Sequence, residues 1–265
     1  MIGSSSESNT HLPYNAKNVV ISKQELEAIL KVGDVAIGDI DIYRGAFVHR
    51  SYCTRKNENV HNGNLNRPPN CLPLQDESNE RLEFLGDAVL SLVVAGYLFE
   101  RFPDENEGFL TKMRTKLVNG VMLAHLSDLI GLGKYVILSQ QIEEGEGRTN
   151  KNILEDCFEA LIGAIYMDAG FDAAKRWIIR FIETELDFAE LITGHDNFKD
   201  MMIKHFQRAY GWIPRLVDLK RSGNLHQVCA KDASDNVISK GKGDSKKAAE
   251  MDCARNLLVT HGVLS

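Results

Sequence analysis

From residue 19 onward, stretches with an apolar residue at every third or fourth position alternate with polar stretches that have no period. SKQELEAILKVG, residues 22–33, shows the first helical pattern, and Ser22 followed by Glu25 has capping-box spacing. Residues 57–78, NENVHNGNLNRPPNCLPLQDES, carry Asn and Pro without hydrophobic period and predict a mobile loop or insertion. The run from Asn79 to Phe102 is apolar enough to predict a buried helix. Residues 107–135 hold two more helical patterns, with Gly131 and Gly133 as stop signals. A polar loop, EEGEGRTN, leads into a second buried helix over 152–171 and an amphipathic one over 172–192. Strand-type alternation is missing from 79–192, so 19–192 is expected to be an all-helical domain.

The pattern changes after TGHDN, residues 193–197, the expected linker. A helical segment, FKDMMIKHFQRAYG, is followed by three strand-length segments and a last helical one, SKKAAEMDCARNLLVTHG. Ser222-Gly223-Asn224 and Ser234-Asp235-Asn236 supply the turns between the strands. The fold class is therefore an all-helical domain followed by a small α-β-β-β-α domain over 198–265. Residues 1–18 are polar with no apolar centre, which predicts a disordered tail and no secretory signal.

Composition refines this picture in three ways. No stretch has the roughly 20 uninterrupted apolar residues of a membrane span, so no membrane partner is expected. Cys53, Cys71, Cys157, Cys229 and Cys253 form no C-x-x-C pair and are odd in number, which suggests neither a zinc site nor a disulfide framework. A reducing, intracellular setting follows, cytoplasmic or nuclear rather than secreted. The net charge of −6 is unevenly spread: 196–265 has 12 Lys and Arg against 8 Asp and Glu, and 1–195 has 19 against 29. An acidic body beside a basic unit needs metal ions or a basic groove to hold a polyanion.

The chemically informative feature is acidic residues on apolar helices. Glu80, Glu83 and Asp87 fall at i, i+3 and i+7 and share one helical face. Asp156 and Glu159 are three apart on the second buried helix, with Glu155 beside them expected to face solvent. Glu83 and Asp87 are a like-charge i,i+4 pair, unfavourable even when exposed, and burial increases the penalty. Arg81 projects to another side, so a hard divalent cation with oxygen ligands is the fitting counterion. On spacing alone a solvated acidic face remains an equal reading, and Glu80 near a helix start also complements the helix dipole.

NERLEFLGDAVL, residues 79–90, closely resembles the signature of the ribonuclease III family. ILEDCFEALIGAIYMDAGF (153–171) is similar to the family's second acidic segment, and HRSY (49–52) and EGFLTKMRTKLVN (107–119) match weaker ones. The resemblance covers about 20–192, without 57–78. It implies that Glu83, Asp87, Asp156 and Glu159 hold metal, with Asp87 and Glu159 closest to the chemistry. Glu80 matches an acidic position near the dimer interface, and Glu107 one that supports the metals. The implied cofactor is Mg²⁺, with Mn²⁺ as a substitute, and the implied substrate is double-stranded RNA. The implied products have 5′-phosphate and 3′-hydroxyl ends with short 3′ overhangs. One nuclease domain per chain implies a homodimer, each copy cutting one strand. His49 reads as a packing or surface histidine and stays outside the site.

Residues 197–265 resemble a double-stranded-RNA-binding domain, most clearly in GKGDSKKAAEMDCARNLL. The resemblance places Lys246 and Lys247 at a helix start facing phosphate. It puts His226 in a loop reaching the minor groove. Lys199 matches the usual basic start of the first helix. Ile203 and Lys204 stand where many members have Gln-Glu, which turns attention to Lys204 and Gln207. Two other classes stay open at this point: a non-catalytic duplex binder, and a phosphohydrolase of small nucleotides that would not need the second domain.

Overall fold

The computed structural model describes residues 13–54, 67–188, 191, 198–222 and 225–264. The chain divides into two compact units between Asp187 and Phe188.

The first unit is helical: α1 Lys23–Leu30, α2 Ile40–Gly45, α3 Glu80–Arg101, α4 Glu107–Leu117, α5 Gly120–Leu129, α6 Gln140–Glu144, α7 Lys151–Ala169 and α8 Phe171–Glu185. Ser22 and Glu25 form the expected capping box, each accepting the other's backbone N–H. Helix α7 is the hub. Its Leu154, Cys157, Phe158, Leu161, Ile162 and Ile165 are buried, and α3, α5 and α8 pack around it. Helix α8 buries one stripe, in which Trp177 stacks on Phe181 at 5.0 Å and donates to the Ile29 carbonyl at 3.1 Å. All five cysteines are free and buried, as packing residues.

Two glycines set the central crossing. A Cβ on Gly86 would collide with the Glu159 carbonyl, and one on Gly163 would collide with the Leu82 carbonyl. Only glycine lets the main chains of α3 and α7 meet there.

Several expectations change on the structure. Helix α3 is buried along one side only; Phe84 (80% exposed), Leu92 (62%) and Phe99 (72%) line the other. By length and composition α3 would also suit a membrane span, and its inner side serves here as core against α7. Gly131 does end α5 in a left-handed conformation, whereas Gly133 is a point of close approach to the Arg148 carbonyl.

The disordered tail was expected to reach residue 18, yet Asn15 and Asn18 are buried. Asn18 exchanges two hydrogen bonds with the Leu138 backbone (2.9 and 3.0 Å), and Asn15 donates to Glu143 at 2.9 Å. Side-chain amides replace strand partners here, a kind of order that hydropathy does not register. Residues 1–12 lie outside the described residues.

Part of the expected insertion is likewise ordered. Tyr52 donates to the Leu72 carbonyl at 2.8 Å, and Thr54 and Gln75 pair with the facing backbone. Residues 57–66 and the linker 193–197 lie outside the described residues.

The polar stretch 143–150 is a clamp. Arg148 bonds Glu143 at 2.7 Å, the carbonyls of Gly133, Lys134 and Val136, and Asn18.

The second unit runs α9 Phe198–Tyr210, β1 Arg215–Ser222, β2 Leu225–Lys231, β3 Val237–Gly243 and α10 Lys246–Thr260. The strands form one antiparallel sheet in the order β1-β2-β3. Asp235 takes a positive φ in the β2–β3 turn, where Asp232 accepts from the Ser234 and Asn236 backbone. The core joins Phe198, Met202 and Phe206 of α9 to Val228 and Ala230 of β2 and to Ala249, Cys253 and Leu257 of α10. Gly241 lets β3 touch α10, since a Cβ there would strike the Cys253 backbone. This is the predicted α-β-β-β-α arrangement.

Candidate active site and nucleic-acid interface

The glycine crossing of α3 and α7 brings two rows of carboxylates to one cleft of about 1010 Å³. Glu80 and Glu83 of α3 and Glu155, Asp156 and Glu159 of α7 line it. Asp87 lies one turn beyond Glu83, exposed, with Ser91 Oγ donating to it at 3.5 Å. Its charge acts on both Glu155 and Glu159, so it belongs to the same field.

That field is repulsive. Burial, followed by the charges of Asp87, Glu155, Glu83 and Asp156, pushes the Glu159 carboxyl up to about 8. Glu83 is raised by burial and then by Asp156, Glu80 and Glu155. Burial raises Asp156 and Glu155 as well. Glu155, expected in solvent, is half-buried and part of the set, because α7 turns that edge toward the start of α5. A side chain on Gly120 would overlap its carboxylate.

The donors suit a cation, being hard oxygen ligands whose mutual repulsion a divalent ion would relieve. Among the described residues, no three His, Cys, Asp or Glu side chains converge as a ready metal-holding group. The carboxylates share a cleft and a field; a closed cage is not preformed.

Sequence reasoning missed Arg50. Its guanidinium reaches Glu80 at 3.4 Å, and its charge opposes the upward shifts of Asp156 and Glu83. The signal lies in HRSY, one residue after the histidine. His49 Nδ1 instead accepts from the Ser51 backbone at 3.2 Å and caps the turn that carries Arg50. Gly86 and Gly163 were also missed, although a glycine inside each apolar helix marks a close approach.

Glu107, which the family resemblance groups with the catalytic set, starts α4 beyond the far end of α3 within one chain. There it accepts from Thr111 at 2.8 Å and lines a separate depression with Ala95, Leu98 and Phe99. At a rise of about 1.5 Å per residue, those α3 residues lie on the order of 12–18 Å along the axis from Asp87.

In the second unit, Lys246 and Lys247 open α10 behind the N-cap Ser245. Lys246 is ion-paired to Asp218 of β1 at 2.7 Å, and Lys199 to Glu250 of α10 at 2.7 Å. Lys247 borders a shallow cleft with Phe198, Ser245, Asp252 and Arg255. Lys204 and Gln207 are exposed one turn apart on α9. His226 is the second residue of β2, half-buried and paired with Gly243, within the second of the three strand-length segments that the sequence predicts.

Comparison with known proteins adds the last element. Residues 39–186 match the family model described as Ribonuclease-III-like. The chain is 40% identical to ribonuclease 3 of Nitratiruptor over 184 residues, covering 68% of this chain and 81% of that protein. It is 32% identical to the probable ribonuclease 3 of Acanthamoeba polyphaga mimivirus over 251 residues, covering 92% of this chain and 46% of that longer protein. Among solved structures, the nuclease domain of ribonuclease III from Campylobacter jejuni is 34% identical. It covers 62% of this chain and 99% of that one, with a TM-score of 0.51. The chain belongs to the ribonuclease III family.

Proposed function

We propose that this chain is an endonuclease that hydrolyses double-stranded RNA with the help of a divalent metal. The observation that carries the reading is the like-charge set from two crossing helices, costly in its ionised form without a cation and held together by main-chain contact at Gly86 and Gly163. Family membership supplies the substrate class.

Glu83, Asp87, Asp156 and Glu159 would hold Mg²⁺, or Mn²⁺ in its place, and Glu80 would stand at the edge of the set. When bound, the ion supplies Lewis acidity toward water and the phosphate group and offsets charge in the transition state. The chain's own part is positional and electrostatic. The carboxylates must be deprotonated to take the ion, and Glu159 must give up a proton held to about pH 8. The cleft wall then orients the RNA strand. Attack by water at phosphorus with departure of the 3′ oxygen leaves 5′-phosphate and 3′-hydroxyl ends.

Lys199, Lys204, Gln207, His226, Lys246 and Lys247 are the proposed contacts of the second unit to phosphate and ribose, a shape-reading mode with little sequence preference. A homodimer would cut both strands and leave short 3′ overhangs. Its support is the outward apolar side of α3, where Phe84, Leu92 and Phe99 stand in water. The depression holding Glu107 includes Phe99 and would lie at that junction, which gives Glu107 its proposed supporting role.

The test is cleavage of a long perfect duplex with and without Mg²⁺. Metal-dependent products bearing 5′-phosphates are expected. Tight binding without cleavage would mark a duplex binder instead, and turnover unaffected by deleting 194–265 would point to a small-nucleotide substrate.

A further inference from the structure

Resting on the nuclease reading above, we infer that Arg50 grips an RNA phosphate next to the scissile one and so sets how the strand lies in the cleft. It is a positioning residue, and its ion pair with Glu80 is the resting partner it exchanges for substrate.

Five carboxylates line the cleft, and among the described residues lining it Arg50 is the only Lys or Arg. A polyanion entering that field needs a protein cation besides any metal, because an ion held at the reacting phosphate would leave the neighbouring phosphates facing Glu80, Glu155 and Asp156.

Arg50 is also available to a ligand. Arg50 meets Glu80 through one long contact of 3.4 Å, and Glu80 already accepts from Ser78 Oγ at 2.8 Å. The Arg50 side chain is 58% exposed. A guanidinium has five N–H donors in a planar fork suited to phosphate, and a single long contact occupies little of it. Arg148 behaves differently: it is 19% exposed, and four backbone carbonyls with Glu143 hold it. Arg148 belongs to the framework and Arg50 does not.

The backbone that carries Arg50 is pre-organised. Arg50 sits in a tight turn capped by His49 Nδ1. Flanking backbone bonds tie the segment down: His49 N donates to the Ile137 carbonyl at 3.1 Å, and Asn79 N donates to the Val48 carbonyl at 2.8 Å. The second bond fixes the turn to the residue preceding α3, the helix that carries Glu83 and Asp87. The guanidinium is thus anchored near the carboxylates while its tip stays free to move.

The test uses the full-length protein and duplexes in which a single phosphate flanking the cleavage site is replaced by a neutral methylphosphonate. One flanking position should slow the wild type at least tenfold in kcat/KM. Arg50→Ala should lose a similar factor on the unmodified duplex and nothing more on that modified one, because both changes remove the same contact. Arg50→Lys should recover part of the rate. Factors that multiply at every flanking position would overturn the inference. A second readout concerns the metal alone. Mg²⁺ titration without RNA should give Arg50→Ala an affinity equal to or tighter than wild type, since a nearby positive charge has been removed. Weaker metal binding would make Arg50 a support for the carboxylates and also overturn the inference. Should Arg50→Ala fail to fold, Arg50→Gln carries the same cycle. Absence of metal-dependent cleavage by the wild type would count against the nuclease reading itself and is distinguishable from either result.

Discussion

The two units handle charge in opposite ways. In the helical unit, carboxylates of one sign are pressed together by a backbone crossing, and the Glu159 carboxyl is held near 8 by burial and its neighbours. In the second unit nearly the reverse holds. Lys246 pairs with Asp218, Lys199 with Glu250, and Arg215 and Lys231 share Asp235. A site for a small hard cation can keep its repulsion until the ion arrives, because one ion relieves several contacts together. A surface that takes a long polyanion, as proposed for the second unit, gains more from cations with weak, exchangeable partners, which give way one phosphate at a time.

The largest test of this contrast is chemical. Asp87→Asn and Glu159→Gln should each lower cleavage about a thousandfold or more while duplex binding in a gel-shift assay persists. Parallel loss of binding would show that the two units are not separate in function.

Next in size are the main-chain contacts. Gly86→Ala should cost about 3 kcal/mol or more in urea unfolding of the helical unit, since the added methyl meets backbone that cannot yield. Gly241→Ala should act similarly on the second unit alone, and a shared transition would contradict two independently packed bodies.

A smaller effect has a definite sign. A carboxyl whose folded pKa lies near 8, against an ordinary value of 4.5, binds its proton more tightly when folded. Its contribution is favourable at low pH, and stability is lost as pH rises from about 4.5 through about 8. Glu159→Gln should therefore raise the melting temperature of metal-free protein at pH 8 by a few degrees, roughly 1–2 kcal/mol after solvent relaxation. Little change is expected at pH 5. A melting temperature lowered at pH 8 would mean the carboxylates are not in conflict.

The smallest effects belong to the basic surface. Lys246→Ala with Lys247→Ala should weaken duplex binding several-fold and reduce its salt slope by about one to two. Asp218→Asn, which frees Lys246, should tighten binding within roughly threefold. An unchanged slope in the double lysine variant would remove that face from the interface.

Much of this was legible in the sequence, for identifiable reasons. Helical period and the i, i+3, i+7 acidic spacing depend on local geometry alone, so α3, α7 and their carboxylate faces could be read directly. The capping box at Ser22 and the three strands followed from equally local rules. What stayed hidden was set by contacts distant in sequence. Glu155 gained its burial from α5, Glu107 was carried away by the length of α3, and Arg50 was brought in by a strap docked on the start of α3. The amides of Asn15 and Asn18 look like tail residues until Leu138 and Glu143 are beside them.

Those two asparagines have a consequence for how the cleft behaves. They hold down the segment after Leu138, and Gln141, Ile142, Gly145 and Gly147 of that segment form the bank facing the carboxylates. The segment carrying Asn15 and Asn18 thus braces the far bank from outside the residues that line the cleft. Loosening it by Asn18→Ala should blunt the grip on RNA and raise KM while kcat stays near its starting value. Altered spacing between cuts, with undiminished speed at each, would be the outward mark of a shifted bank.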